Sequence, residues 1–381
     1  MGTATSWRLA AVFGVLLLVI AAGVVFSGAT RRSGPAAGAV AVTAGSDRCS
    51  GWGAPHPGPV MFRVTNTANQ SLDIYLQDPR TGRVFGEVEG IGTAARADLR
   101  VVLGNGRYRF VCLAEEEPPV DGAVFVVTGG AHDLDATPGV IPVTYNDLAQ
   151  PVAEYTSWVT GQFPAVRAAV EQLRTAVDSG SVPDARGAWL TAHLAYTRLG
   201  GAYGDFGDSA SRVDDDFAAL EQDLWAGGMP ASAPSTVDDL AAAIAAIQHD
   251  FDPTRFNRLD IGLRAHEILE DQAQQELNGE RDAISGSSLA TIDAGIAATR
   301  AAIDPLRPLL AVRGYRLADA DAALTALATA VDGYRGGDGT WTALATLDAG
   351  QRQRLDALMA QTLEVLAPIA AITDIRRGAD S

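Results

Sequence analysis

His266 and Glu270 lie four residues apart in the segment RFNRLDIGLRAHEILEDQAQQEL, residues 255–277. On a helix this spacing puts a ring and a carboxylate one turn apart on the same side. Phe256, Leu259, Leu263, Ala273 and Leu277 recur around them with the three-and-four alternation of a core-facing helix, which predicts that the polar pair sits in the middle of an apolar stripe. Buried without partners, such groups cost several kcal/mol. Two arrangements satisfy them: a hydrogen-bonded pair inside an ordinary core, or a cation held between them. Residue types alone leave both open.

A second polar stripe runs through Arg186, Trp189, His193, Tyr196, Gly200 and Tyr203. Inward-facing aromatics with a ring nitrogen and phenols can wall a pocket, and they can equally form a core with hydrogen-bonded tips. Asp205, Asp208, Asp214, Asp215 and Asp216 follow, without the alternate ligand positions of an EF-hand. A solvated acidic loop is the expectation there. The run HEILE begins like a zincin helix, but Glu270 stands where the second His is required. This speaks against a metallopeptidase, and no catalytic role is assigned.

Only two cysteines occur, Cys49 and Cys112. Outside the cytoplasm they suit a disulfide, and no other intrachain pair exists. A blue-copper centre would need two His, a Cys and an axial Met. The chain offers Cys112, His56 and Met61, with no His in the LAEEEPP that follows Cys112, so copper is not expected. The acidic Glu115, Glu116 and Glu117 read as a solvated loop.

These groups must be carried on a scaffold, and 381 residues with 47% hydrophobic content suffice for two or three cores. The net charge of −17, with all 29 basic side chains arginine, excludes nucleic acid as an expected partner and favours cations. Leu9 to Phe26 is uncharged and flanked by Arg8, Arg31 and Arg32, so residues 1–30 read as an export signal or membrane anchor and 31–48 as a flexible tether. The expected location is extracytoplasmic, either anchored in the cell membrane or released as a secreted or periplasmic protein.

Residues 49–128 carry six short runs rich in β-branched and aromatic residues: 60–65, 72–76, 83–88, 99–103, 108–113 and 123–128. Turn signals separate them, and a small β-sandwich is expected. A linker at 129–145 leads into an all-α region at 146–375, where eight helical periods imply a double bundle. Asn146 or Asp147, Ser235 with Asp238, and Pro183 supply helix-start signals, and Pro164 should kink the first helix.

Four separated motifs carry a family resemblance: AWLTAHLAYTRLGGAYGDFG, FAALEQDLW, DIGLRAHEILEDQAQQELNG and LAPIAAITDIRR. In this order the chain resembles the EfeO type of imelysin-like (peptidase M75) proteins, preceded by a cupredoxin-like domain as in the longer members. The resemblance covers about 330 residues from Cys49 onward and implies a component of a ferrous-iron uptake system. It would bind or deliver iron beside a membrane permease and a haem-peroxidase-like partner. The family's His-x-x-Glu motif matches FAALEQDLW, with Ala218 in place of the His and Glu221 keeping the Glu; FNRLDIGL, with Asn257 and Asp260, is a weaker copy. The resemblance thus adds Glu221 to His193, His266 and Glu270 as candidate metal ligands. The alternatives are a divergent scaffold that binds no metal and a metallopeptidase.

Overall fold

The computed structural model describes residues 38–53, 55–115, 117–129 and 136–376. The apolar run from Leu9 to Phe26 lies outside them. The described chain forms two compact units. One comprises Phe85–Thr137 and the residues up to Gln77, and the other comprises Asp78–Val84 and the residues from Pro138 onward.

The first unit holds two sheets. β1 (Val40–Ala44), β2 (Cys49–Ser50), β3 (Gly58–Asn66) and β6 (Arg96–Leu103) form one, in the order β2-β1-β3-β6. β4 (Leu72–Gln77), β5 (Val84–Ile91), β7 (Gly106–Ala114) and β8 (Val120–Asp121) are ordered β5-β4-β7-β8 in the other, and β9 (Phe125–Val127) also pairs with β7. All six expected strands are present. β1 was not expected: it lies in the stretch read as a tether and pairs in parallel with β3, Val42 against Val64. Val42 and Ala44 alternate into the core, a two-residue signal too short to stand out beside Gly- and Ala-rich sequence.

The sheets share one apolar core, in which Phe62 of β3 meets Phe110 of β7 edge to face with centroids 4.9 Å apart. Cys49 on β2 is disulfide-bonded to Cys112 on β7, joining the two sheets covalently. Cys112 therefore has no thiolate to offer a metal.

The second unit is helical. Its long helices are α1 (Ala149–Asp178), α2 (Val182–Thr197), α3 (Ser209–Ala226), α4 (Ala233–Asp250), α5 (Ile261–Gln275), α6 (Ser288–Ile303), α8 (Leu317–Asp332) and α9 (Ala349–Leu366). Two six-residue helices, α7 (Arg307–Val312) and α10 (Pro368–Thr373), complete it. α1 packs on α2 and α4, α3 on α4, α5 on α6, and α8 on α9.

Local sequence explains several of the helix starts. Ser181 caps α2 by accepting from the Asp184 N–H, with Pro183 in the first turn as expected. Asp348 and Gln351 form a reciprocal capping box on α9. Other expected caps are absent. α1 follows Leu148, and the Asp147 carboxylate accepts from the Thr144 N–H at 2.9 Å instead. Ser235 lies inside α4 and donates to the Ser232 carbonyl. Pro164 is accommodated within α1.

Asp214, Asp215 and Asp216 are helical residues of α3 rather than loop residues. By length and composition alone, Ala349–Thr373 is apolar enough to cross a membrane, and here its two helices pack against α5.

α5 corrects the expected stripe. Its buried face is Ile261, Gly262, Ala265, Ile268, Leu269 and Gln272, whereas Leu263 and the preceding Leu259 are exposed. Both stripes have helical spacing. The one richer in Ile and closely packing small residues is in the core, because it gives the tighter fit: Gly262 lies against Thr373, where a Cβ would meet Oγ1 at 1.8 Å.

Candidate functional site

α2 ends at Thr197 and continues as a 3-10 turn, Gly200–Asp205. Gly200 permits this, since a Cβ there would meet the Ala298 Cβ of α6 at 2.9 Å. The close approach leaves the polar face of α2 turned toward α3, α5, α6 and the loop between α5 and α6, around a cavity of about 350 Å³. Trp189, His193, Tyr196, Gly200 and Tyr203 of the predicted stripe all line it. Arg186 does not; it donates to the Leu224 carbonyl at 2.7 Å and lies over the Trp225 ring.

His193 is the centre of the cluster. Its ring stacks on Trp189 with centroids 4.9 Å apart and meets the edge of Phe217. Nε2 lies 2.9 Å from Oδ2 of Asp282, which also accepts from the Thr291 hydroxyl. Asp282 is buried and holds a left-handed backbone, φ 53°, on a loop anchored by the Gly286 and Ser287 N–H groups donating to its carbonyl. An aspartate tolerates that region better than most residues, and strain of this kind persists only where the surroundings enforce it.

The electrostatics follow from burial and neighbours. Burial opposes a charged His193, but the Asp282 charge and hydrogen bond, with Glu276 and Glu221, outweigh it and raise the imidazole above its ordinary value. Burial pushes Asp282 upward, and the His193 charge with the His193 and Thr291 hydrogen bonds brings it below the usual carboxylate range. Glu276, at the end of α5, is only 3% exposed; burial and the Asp282 charge push its carboxyl up to about 8. Asp214, Glu221, Asp271, Glu276, Glu280 and Asp282 line the cavity against Arg281 and His193. The upward shifts of His193 and Glu276 are thus the response of a crowded, buried negative site, and a cation would supply the same compensation.

Among the described residues, three buried atoms of lining residues have no hydrogen-bond partner: His193 Nδ1, Gln272 Oε1 and Glu276 Oε2. Gln272 is 4% exposed and fixed by donating from Nε2 to the Thr291 carbonyl at 3.0 Å, so its oxygen is held in place. Buried polar atoms without a partner are costly.

Of the predicted ligands, His193 and Glu221 line the cavity, and Ala218 lies on the same wall as Glu221. Glu221 is 7% exposed, and its Oε1 accepts from the Ser285 N–H at 2.7 Å, fastening the loop that carries Asp282. His266 and Glu270 do not line the cavity. They form a local pair, Nδ1 to Oε2 3.4 Å, with side chains 21% and 47% exposed, because they lie on the more open face of α5. Gln272, Glu276 and Asp282 were missed. The first two continue the Ile261–Ala265–Ile268 stripe at helical spacing, which was the available signal; Asp282 had none.

Among the described residues, no three His, Cys, Asp or Glu side chains are grouped closely enough to hold a metal ion directly. No protein-family model matches the chain, and no curated protein does.

Proposed function

We propose that this protein is an extracytoplasmic cation-binding component of a ferrous-iron uptake system. In this reading the cavity of the helical unit is the cargo site, and iron passes from it to a membrane permease that works beside a haem-peroxidase-like partner. The β unit is read as cupredoxin-like, the helical unit as imelysin-like, and the apolar segment before residue 30 as its membrane address. The observation that carries the cation-binding half is the set of six carboxylates, Asp214, Glu221, Asp271, Glu276, Glu280 and Asp282, that line one cavity against only Arg281 and His193. Oxygen and imidazole donors suit divalent first-row metals. Iron in particular is supported by the sequence motifs that resemble the EfeO type.

The test is an anaerobic titration of the purified full chain with Fe(II), set beside Fe(III), Zn(II) and Cu(II), followed by equilibrium dialysis at about 0.15 M salt to screen the acidic surface. One Fe(II) per chain at saturation is the expected result. No saturable site for any of the four ions would overturn the reading.

A further inference from the structure

Among the described residues that line the acidic cavity, the Arg281 guanidinium carries the only permanent positive charge. The backbone of Arg281 is fixed: its N–H donates to the Gln275 carbonyl at 3.3 Å, and its carbonyl accepts from the Ser288 hydroxyl at 3.2 Å. The side chain is not. It makes one ion pair, Nη1 to Oδ2 of Asp271 at 3.0 Å, and the two side chains are 53% and 46% exposed. Arg307 of the same unit is gripped more firmly, meeting Asp304 and both carboxylate oxygens of Asp321. An exposed pair with a single contact contributes little and gives way readily.

The charge of this arm reaches further than its contact. Burial raises the carboxyls of Asp214 and Glu276, and the Arg281 charge opposes the rise at both. Arg281 also leaves a deeper acceptor free. Glu221 is 7% exposed and its Oε1 accepts from the Ser285 N–H, whereas its Oε2 has no partner among the described residues and is not closed off as Glu276 Oε2 is.

From this arrangement we infer that Arg281 is a tethered counter-ion of the cavity: a divalent cation enters by displacing the guanidinium from the carboxylates, and the guanidinium returns when the cation leaves. The inference rests on the cation-binding reading above and adds how that site is controlled. Tethering holds the guanidinium at a high effective concentration, so a free ion of the same charge gains nothing by replacing it. A divalent ion brings twice the charge and does. Return of the arm favours release, which suits a protein that hands its cargo on.

The test titrates the full chain, Arg281→Gln and Arg281→Lys with Mn(II) at about 0.15 M salt, reading free Mn(II) from its electron paramagnetic resonance. Arg281→Gln should bind Mn(II) roughly 10- to 100-fold more tightly, the effect of removing a like charge at close range. Arg281→Lys keeps the charge and should stay near the wild type. Displacement itself is read by phenylglyoxal modification, mapped by mass spectrometry with and without Mn(II). Arg281 should become more reactive in the loaded protein, measured against the exposed Arg48 of the first unit.

Wild-type binding that Arg281→Gln leaves unchanged or weakens would overturn the inference and leave the cation reading intact. Tighter binding without a rise in Arg281 reactivity would mean that the arm only repels from where it stands, and would overturn the displacement. Absence of saturable Mn(II) binding in the wild type and Arg281→Gln alike would remove the cation reading and the inference with it.

Discussion

The helical unit contains two His–carboxylate pairs built from the same chemistry and put to different use. His266 and Glu270 are four residues apart on α5, 3.4 Å from each other and partly exposed. His193 and Asp282 are 89 residues apart in sequence, 2.9 Å apart in space, and set in a cavity with stacked aromatics and a third acid, Glu276. The local pair is a consequence of helical spacing and contributes little, because water competes for both partners. The distant pair exists only because the fold brings it together, and it shifts the titration of every member. Burial, rather than residue type, separates a surface ion pair from a site.

The sharpest way to break this contrast is to remove one partner from each pair. Asp282→Ala leaves the Thr291 hydroxyl and the buried imidazole without their acceptor, and the expected loss is roughly 3 kcal/mol or more in denaturant unfolding. Glu270→Ala is expected to change stability by no more than about 0.5 kcal/mol. Equal losses would mean that the His193 pair is no more structural than the surface one.

Gly295→Ala acts on the site from behind. A Cβ at Gly295 would meet Gln272 Nε2 at 1.9 Å, so the amide must leave the Thr291 carbonyl. The expected cost is about 1–3 kcal/mol, with weaker cation binding although no lining residue is changed. Unaltered binding would show that Gln272 Oε1 takes no part.

The contrast also predicts a pH dependence. His193 and Glu276 both have folded values raised above their unfolded ones, so their contributions are complete at low pH and are lost as pH rises through the folded values. Asp282 has the opposite sign, its contribution being present above the ordinary carboxylate range and lost as pH falls through its lowered value. Stability should therefore decline between about pH 5 and 8. Chemical unfolding at a series of pH values checks this, and Glu276→Gln should flatten the decline; a slope that survives the substitution unchanged would remove Glu276 as its source.

Much of this arrangement was legible in the sequence. The strands β3 to β7 announced themselves through β-branched and aromatic residues between turn signals, and the region after residue 146 announced itself as helical by its periodicity, although α3 and α9 start about two turns from where that periodicity suggests. The stripe from Trp189 to Tyr203 was read as either core or pocket wall, and the structure places it on the wall of a cavity. α5 misled because two adjacent stripes both satisfy helical periodicity; Leu259 and Leu263 belong to the exposed one. Asp282 was not legible at all. Its partner is 89 residues away, and no spacing rule relates an acid on a loop to a histidine on a distant helix.

Ala218→His gives the smallest expected gain. It would place an imidazole one turn from Glu221 on the cavity wall and is expected to raise cation affinity about tenfold, the effect of one added ligand. An unchanged titration would show that this wall does not approach the cargo.

The most direct measurement compares anaerobic Fe(II) affinity across three proteins: the wild type, Glu276→Gln and Glu270→Gln. If the cavity is the cargo site, Glu276→Gln should lose at least about tenfold, and Glu270→Gln should match the wild type. A loss confined to Glu270→Gln, or equal affinity in all three, would contradict the account.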